Sequence, residues 1–172
     1  MIRVYAARAM TNQLQSEVVK QAKEDKAFFE SCGIEVFCPV TKEKIKPLNK
    51  KLQADLKHME LYWPADKRMI RDAHVFVNFS PHIASMGVIR EYGYARYHLQ
   101  KKVISIFPEG QIPKAGSIAF FEDDEVTDSR IMAVESILRT HGTYWLRLQW
   151  RFKKLIRCFP KSFWYQFQEW FK

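Results

Sequence analysis

A chain of 172 residues with 47% apolar content can bury a sizeable core, which excludes a disordered protein and makes one domain with a short appendage the natural expectation. The formal net charge of +9 is unevenly spread: residues 141–172 carry Arg147, Arg151, Lys153, Lys154, Arg157, Lys161 and Lys172 against Glu169 alone, so the body is only mildly basic. Cys32, Cys38 and Cys158 form no Cys-x-x-Cys pair, which argues against a disulfide framework or a zinc site and for a reducing cytoplasm.

In chain order, residues 2–7 read as an apolar strand and residues 12–32 as a helix, with Leu14, Val18, Ala22, Phe28, Phe29 and Cys32 at helical spacing and Gly33 as its stop. Ile34 to Cys38 is a second strand closed by Pro39. From Thr41 to about Trp63 the chain is Lys-rich and polar, and reads as a loop with an imperfect helix. Asp66 to Asp72 is predicted as a short helix, and His74 to Phe79 as the central strand, because its apolar residues run on without alternation. Gly87 to Gln100 is helical in character, Lys102 to Phe107 and Ser117 to Glu122 are strands, and a helix runs from about Ser129 to Thr140. The opening residues lack the pattern of a secretory leader, and no apolar run approaches the roughly 20 residues that span a bilayer.

Strands that alternate with helices predict an α/β protein: a three-layer sandwich around a mostly parallel five-stranded sheet in flavodoxin-like order. In such sheets ligands bind beyond the carboxyl ends of the strands. This rule selects Arg8 to Thr11, Asp66 at the start of its helix, Ser80 to Glu91, and Phe107 to Gly110. Two carboxylates, Asp66 and Glu91, fall near helix N-termini on this edge and are expected to meet in one cleft. Gly93, which costs about 1 kcal/mol in a helix relative to alanine, predicts close approach of that helix to the sheet or a ligand. Ser85 at the helix start is either an anion-binding hydroxyl or an ordinary N-cap, and Glu91 either a working carboxylate or a solvated one.

The run Ser85-x-Gly87-x-x-x-Glu91-x-Gly93-x-Ala95, followed by the Lys102–Phe107 strand and preceded by Asp66 eight residues before His74, resembles the nucleoside 2-deoxyribosyltransferase superfamily, including the 2′-deoxynucleoside 5′-phosphate N-hydrolases. The likeness covers roughly residues 1–140, so the expected division is a catalytic domain over 1–140 and a basic aromatic tail over 141–172. It implies Glu91 as nucleophile and Asp66 as acid/base partner, with no metal or cofactor. Tyr5, Arg8, Ser85, Gly87 and Tyr92 are the implied substrate-binding residues. Ser85 stands where the hydrolase branch has a phosphate-contacting serine. His74 replaces the usual aspartate, and Arg8 to Thr11 lacks the hydrolases' glycine-rich segment. The substrate implied is a nucleoside or nucleotide, handled by a homo-oligomer without specific nucleic-acid binding. The alternatives are a non-catalytic nucleotide sensor on the same fold and a glycohydrolase of another N-glycoside, such as a nicotinamide dinucleotide.

In the tail, Trp145, Leu148, Phe152, Leu155 and Phe159 recur at helical spacing, with Arg147, Arg151, Lys154 and Arg157 around them and Pro160 as a break. Two amphipathic helices are predicted. They make either peripheral membrane contact through residues 144–171 or a hairpin packed on the domain or a subunit interface.

Overall fold

The computed structural model describes residues 1–10, 13–42, 56–83, 85–112 and 125–158, with side chains omitted at 42, 56–61 and 152–158. Five strands, β1 (Ile2–Ala7), β2 (Ile34–Phe37), β3 (Val75–Asn78), β4 (Lys102–Ile106) and β5 (Glu125–Thr127), form one sheet in the order β2-β1-β3-β4-β5. All four pairings are parallel, with Val4 opposite Val36 on one side and Val75 on the other. Parallel strands covered on both faces read as continuous apolar runs, and all four residues of β3 are buried.

Two layers of helices cover the sheet. On one face, α1 (Gln15–Ser31) and α5 (Arg130–His141) bury Val18, Ala22, Phe29, Ala133, Val134 and Ile137 against Val4, Val77 and Ile104. On the other, α3 (Leu56–Asp72) and α4 (Met86–Gly93) bury Ile70, Val88 and Tyr92 against Tyr5, Phe76 and Val103. A one-turn helix, α2 (Pro39–Lys42), follows β2. The turn from α1 into β2 is made by Gly33 at φ +81°, a left-handed conformation that a side chain disfavours.

Several boundaries differ from the sequence reading. Asp66 does not open its helix: α3 starts at Leu56, and Asp66 lies in its body, two residues after the internal Pro64. The six helical steps from Asp66 to Asp72 rise about 9 Å, close to the length of the four-residue strand that follows, so Asp66 still reaches toward the carboxyl edge of the sheet. Glu91 belongs to the second turn of α4, and the first turn holds no acidic residue. The helix expected over Gly87 to Gln100 divides at Gly93, beyond which Tyr94–His98 form a π-helical turn. A Cβ on Gly93 would meet no described atom within 4 Å, so close approach to the sheet is not the reason for this glycine. The predicted strand at Ser117 to Glu122 lies outside the described residues, as do Thr11 and most of the loop expected between Thr41 and Trp63. The fifth strand described is Glu125–Thr127.

The chain continues from α5 into α6 (Tyr144–Cys158). Leu146 packs against the core and Trp150 is buried within it. The Arg147 Nε donates to the carbonyls of Leu138 and Gly142, at 3.1 and 3.0 Å, which ties the start of α6 to the end of α5. The second amphipathic helix expected after Pro160 lies outside the described residues.

Candidate active site

The carboxyl ends of β1, β2 and β3 present Tyr5, Cys38 and Asn78 on one edge, and α3 and α4 pass beside it. Tyr5 is fully buried and stacks on Phe76 with ring centroids 5.5 Å apart. Its hydroxyl lies beside the Glu91 carboxylate. Burial, then the charge of Glu91, then that of Asp66, push the phenol pKa well above its usual value, so it stays protonated. Two carboxylates from different helices thus act on one buried oxygen.

Asp66 is itself buried, with Oδ1 lacking a partner among the described residues, and this desolvation pushes its pKa up to about 6. A carboxylic acid held neutral to that pH can give up a proton near neutrality. Glu91 is half-buried and lies beside Tyr5. The pair therefore combines one carboxyl set up to donate a proton with a second, less enclosed one.

Sequence reasoning missed the device that joins the two helices. Trp63, one turn before Asp66, carries the Arg90 guanidinium 4.3 Å above its ring, and Tyr94 meets its edge at 5.5 Å. Arg90 adjoins Glu91, so this cation–π contact ties α3 to α4 beside both carboxylates. The only sequence signal for it is an aromatic residue one turn before a helical acid. Cys38 was also missed: it is buried next to Tyr5, and burial pushes its thiol pKa up although nearby Arg8 lowers it.

The remaining predicted residues have different surroundings. Ser85 is buried at the N-cap position of α4, yet makes no side-chain capping bond, and a Cβ on Gly87 would face its hydroxyl at 3.8 Å. Ser85 thus has the backbone placement of a cap without its hydrogen bond. Arg8 turns toward α1, where it pairs with Asp25, donates to Gln21 and lies 4.9 Å over the Phe79 ring. Arg130 shares Asp25 from α5. Tyr92 is a core residue, edge-on to Phe76 at 6.3 Å. Beyond these, Asn78 accepts a hydrogen bond from the Ser80 amide and shapes the turn that leaves β3.

The fold defines an α/β protein with flavodoxin-like strand order, with Asp66 and Glu91 carried by the two helices α3 and α4 that cover one face of its sheet. The molecule is similar in structure to a conserved protein of Enterococcus faecalis V583, with a TM-score of 0.57 and 16% identity over 81% of this chain and 99% of the other. It is also similar to the Clostridium botulinum CMP N-glycosidase BcmB, with a TM-score of 0.48 and 17% identity over 78% and 97% of the two chains. A 2-deoxyribosyltransferase from Bacillus psychrosaccharolyticus follows at 0.45 and 21%, over 64% of this chain and 76% of its own. No family model and no curated protein sequence matches the chain.

Proposed function

We propose that this protein cleaves the N-glycosidic bond of a (deoxy)nucleoside 5′-monophosphate or nucleoside, by hydrolysis or base transfer, through a glycosyl-enzyme on Glu91. The reading is supported by Glu91 lying beside the buried Tyr5 hydroxyl and by the buried Asp66 carboxyl on the neighbouring helix α3. The Glu91 carboxylate attacks the anomeric carbon as the bond to the base breaks, and the neutral Asp66 protonates the leaving base. Water then attacks the same carbon, Asp66 takes its proton, and Glu91 is released with configuration retained. A second base in place of water gives transfer. Tyr5, always protonated, donates a hydrogen bond to a sugar oxygen or to Glu91.

The buried Ser85 hydroxyl and the start of α4, with no acid in its first turn, favour a 5′-phosphate there, close to Gly87. Arg8 and Tyr92 act from behind the site, Arg8 by fixing the end of β1 to α1 and Tyr92 by supporting Phe76. In this reading residues 1–140 form the catalytic domain of a cytoplasmic homo-oligomer. The exposed Met86, Ile89 and Tyr97 along α4 and the π-helical turn supply an apolar surface for self-association.

The test is chromatography of free base released from a panel of nucleosides, nucleoside monophosphates and nicotinamide dinucleotides. Glu91→Gln should abolish release while the circular dichroism spectrum and melting temperature persist. Unchanged turnover removes Glu91 from the mechanism. Tight binding of a nucleotide without release by the unsubstituted protein makes it a sensor.

A further inference from the structure

α6 has two apolar faces. Leu146 and Trp150, one turn apart, turn inward to the core. Tyr144 and Leu148, also one turn apart, face outward with Trp145 beside them, and these side chains are 74%, 38% and 69% exposed. A surface helix needs only its inner stripe to fold, so the outer aromatic pair requires a different explanation. In the sequence, the repeat that contains Trp145 and Leu148 runs on through Phe152, Leu155 and Phe159, interleaved with Arg151, Lys153, Lys154 and Arg157. Arg151 is exposed on the outer side of the helix.

Charge decides what this face meets. Arg151 is the described cation on this face, and in sequence the segment 141–172 carries seven basic residues against Glu169 alone, a net charge that opposes the approach of a second copy of the same segment. An anionic surface removes that repulsion. Among anionic partners, a stripe that mixes aliphatic Leu148 with Trp and Tyr suits the boundary between lipid headgroups and acyl chains better than a nucleic acid, which offers no aliphatic layer. No helix among the described residues is long and apolar enough to cross a membrane, so contact at the interface is the geometry open to α6.

We propose that the outer face of α6 docks this protein on the surface of an anionic lipid bilayer. The position of α6 is compatible with catalysis. α5 delivers the chain to the amino edge of the sheet, where His141 packs 5.7 Å from His74 and Lys102 reaches Ser136 and Thr140. α6 begins there, whereas Glu91 and Asp66 belong to the opposite edge. Docking leaves the site open to a water-soluble substrate.

Flotation of the full chain with vesicles of phosphatidylcholine alone, or of phosphatidylcholine mixed equally with phosphatidylglycerol, tests the proposal. The protein should float with the mixed vesicles only and come off as salt rises. Arg151→Ser should weaken partitioning on the order of fivefold, the effect of one basic side chain near an anionic surface. The double variant Trp145→Ser with Leu148→Ser should stop floating while its melting temperature and base release match those of the unsubstituted protein. Equal flotation of the double variant overturns the proposal. So does retention of the unsubstituted protein on single-stranded DNA without flotation, which assigns the face to nucleic acid, or a change from dimer to monomer in the double variant, which makes it a subunit contact.

Discussion

Asp66 releases its proton near 3.8 in the unfolded chain and near 6 in the folded one, because burial penalises the charged form. Folding therefore takes up a proton between these values. The stability contributed by the neutral acid is full below 3.8, falls as pH rises, and is gone above about 6. Asp66→Asn stays neutral throughout, so its melting temperature should exceed that of the unsubstituted protein at about pH 7.5 and lose that advantage by about pH 4. Parallel melting profiles would show that the carboxyl is not held in a dry site. In the proposed mechanism the same proton is used for catalysis, so kcat/KM of the unsubstituted protein should fall as pH rises through about 6. The variant should lack this limb and run at a small residual rate. In the sequence the edge rule and the family likeness both select Glu91 and Asp66, although Asp66 lies in the body of α3 and not at the helix start from which the edge rule chose it. Cys38 and the Trp63–Arg90 contact were not, since neither follows a spacing rule and both depend on which side chains two separate elements bring together.

Elements with strong periodicity were read to within a few residues: β1, α1, β3, β4 and α5 all fall close to their predicted spans. α3 was not, because residues before Trp63 are polar and Lys-rich and Pro64 interrupts the helical pattern, so the sequence signals a start where the structure has an interior. Four side chains of one edge explain why tertiary structure tolerates that proline: Trp63, Arg90, Tyr94 and Lys67 pack together across α3 and α4. The junction at Gly93 was misread in a different way. Its backbone is ordinary helix at φ −57°, and a Cβ there faces open space among the described residues. Neither left-handed geometry nor crowding accounts for the glycine. Gly93→Ala should therefore stabilise the protein by about 0.5–1 kcal/mol, through the higher helix propensity of alanine. Urea unfolding measures this. Loss of base release in a folded, stabilised variant would instead assign the open space to the substrate or to another subunit.

On the scale of the whole molecule, the sequence divided the chain by composition, with an aromatic basic tail after residue 140. Packing crosses that line. Trp150 is 5% exposed and belongs to the same buried cluster as Val4, Phe29 and Ile137, and Leu146 lies so close to Gly33 that a Cβ there would approach its Cδ2 to 2.9 Å. Composition could not reveal this, because Trp145 and Trp150 look alike in sequence and only the direction of α6 sends one outward and one into the core. The two tryptophans should therefore behave oppositely. Trp150→Ala should destabilise the entire α/β domain by about 3–5 kcal/mol, the range for emptying a large aromatic site. Trp145→Ala should leave stability within about 0.5 kcal/mol, as for a surface change. The Trp150 Nε1 is buried without a partner among the described residues, so Trp150→Phe, which keeps most of the ring and removes that group, should lose less than half as much as Trp150→Ala. Equilibrium unfolding followed by far-ultraviolet circular dichroism distinguishes these cases: a single transition shifted only by the Trp150 variants shows α6 unfolding with the sheet, whereas an early transition in the unsubstituted protein shows the tail coming away by itself.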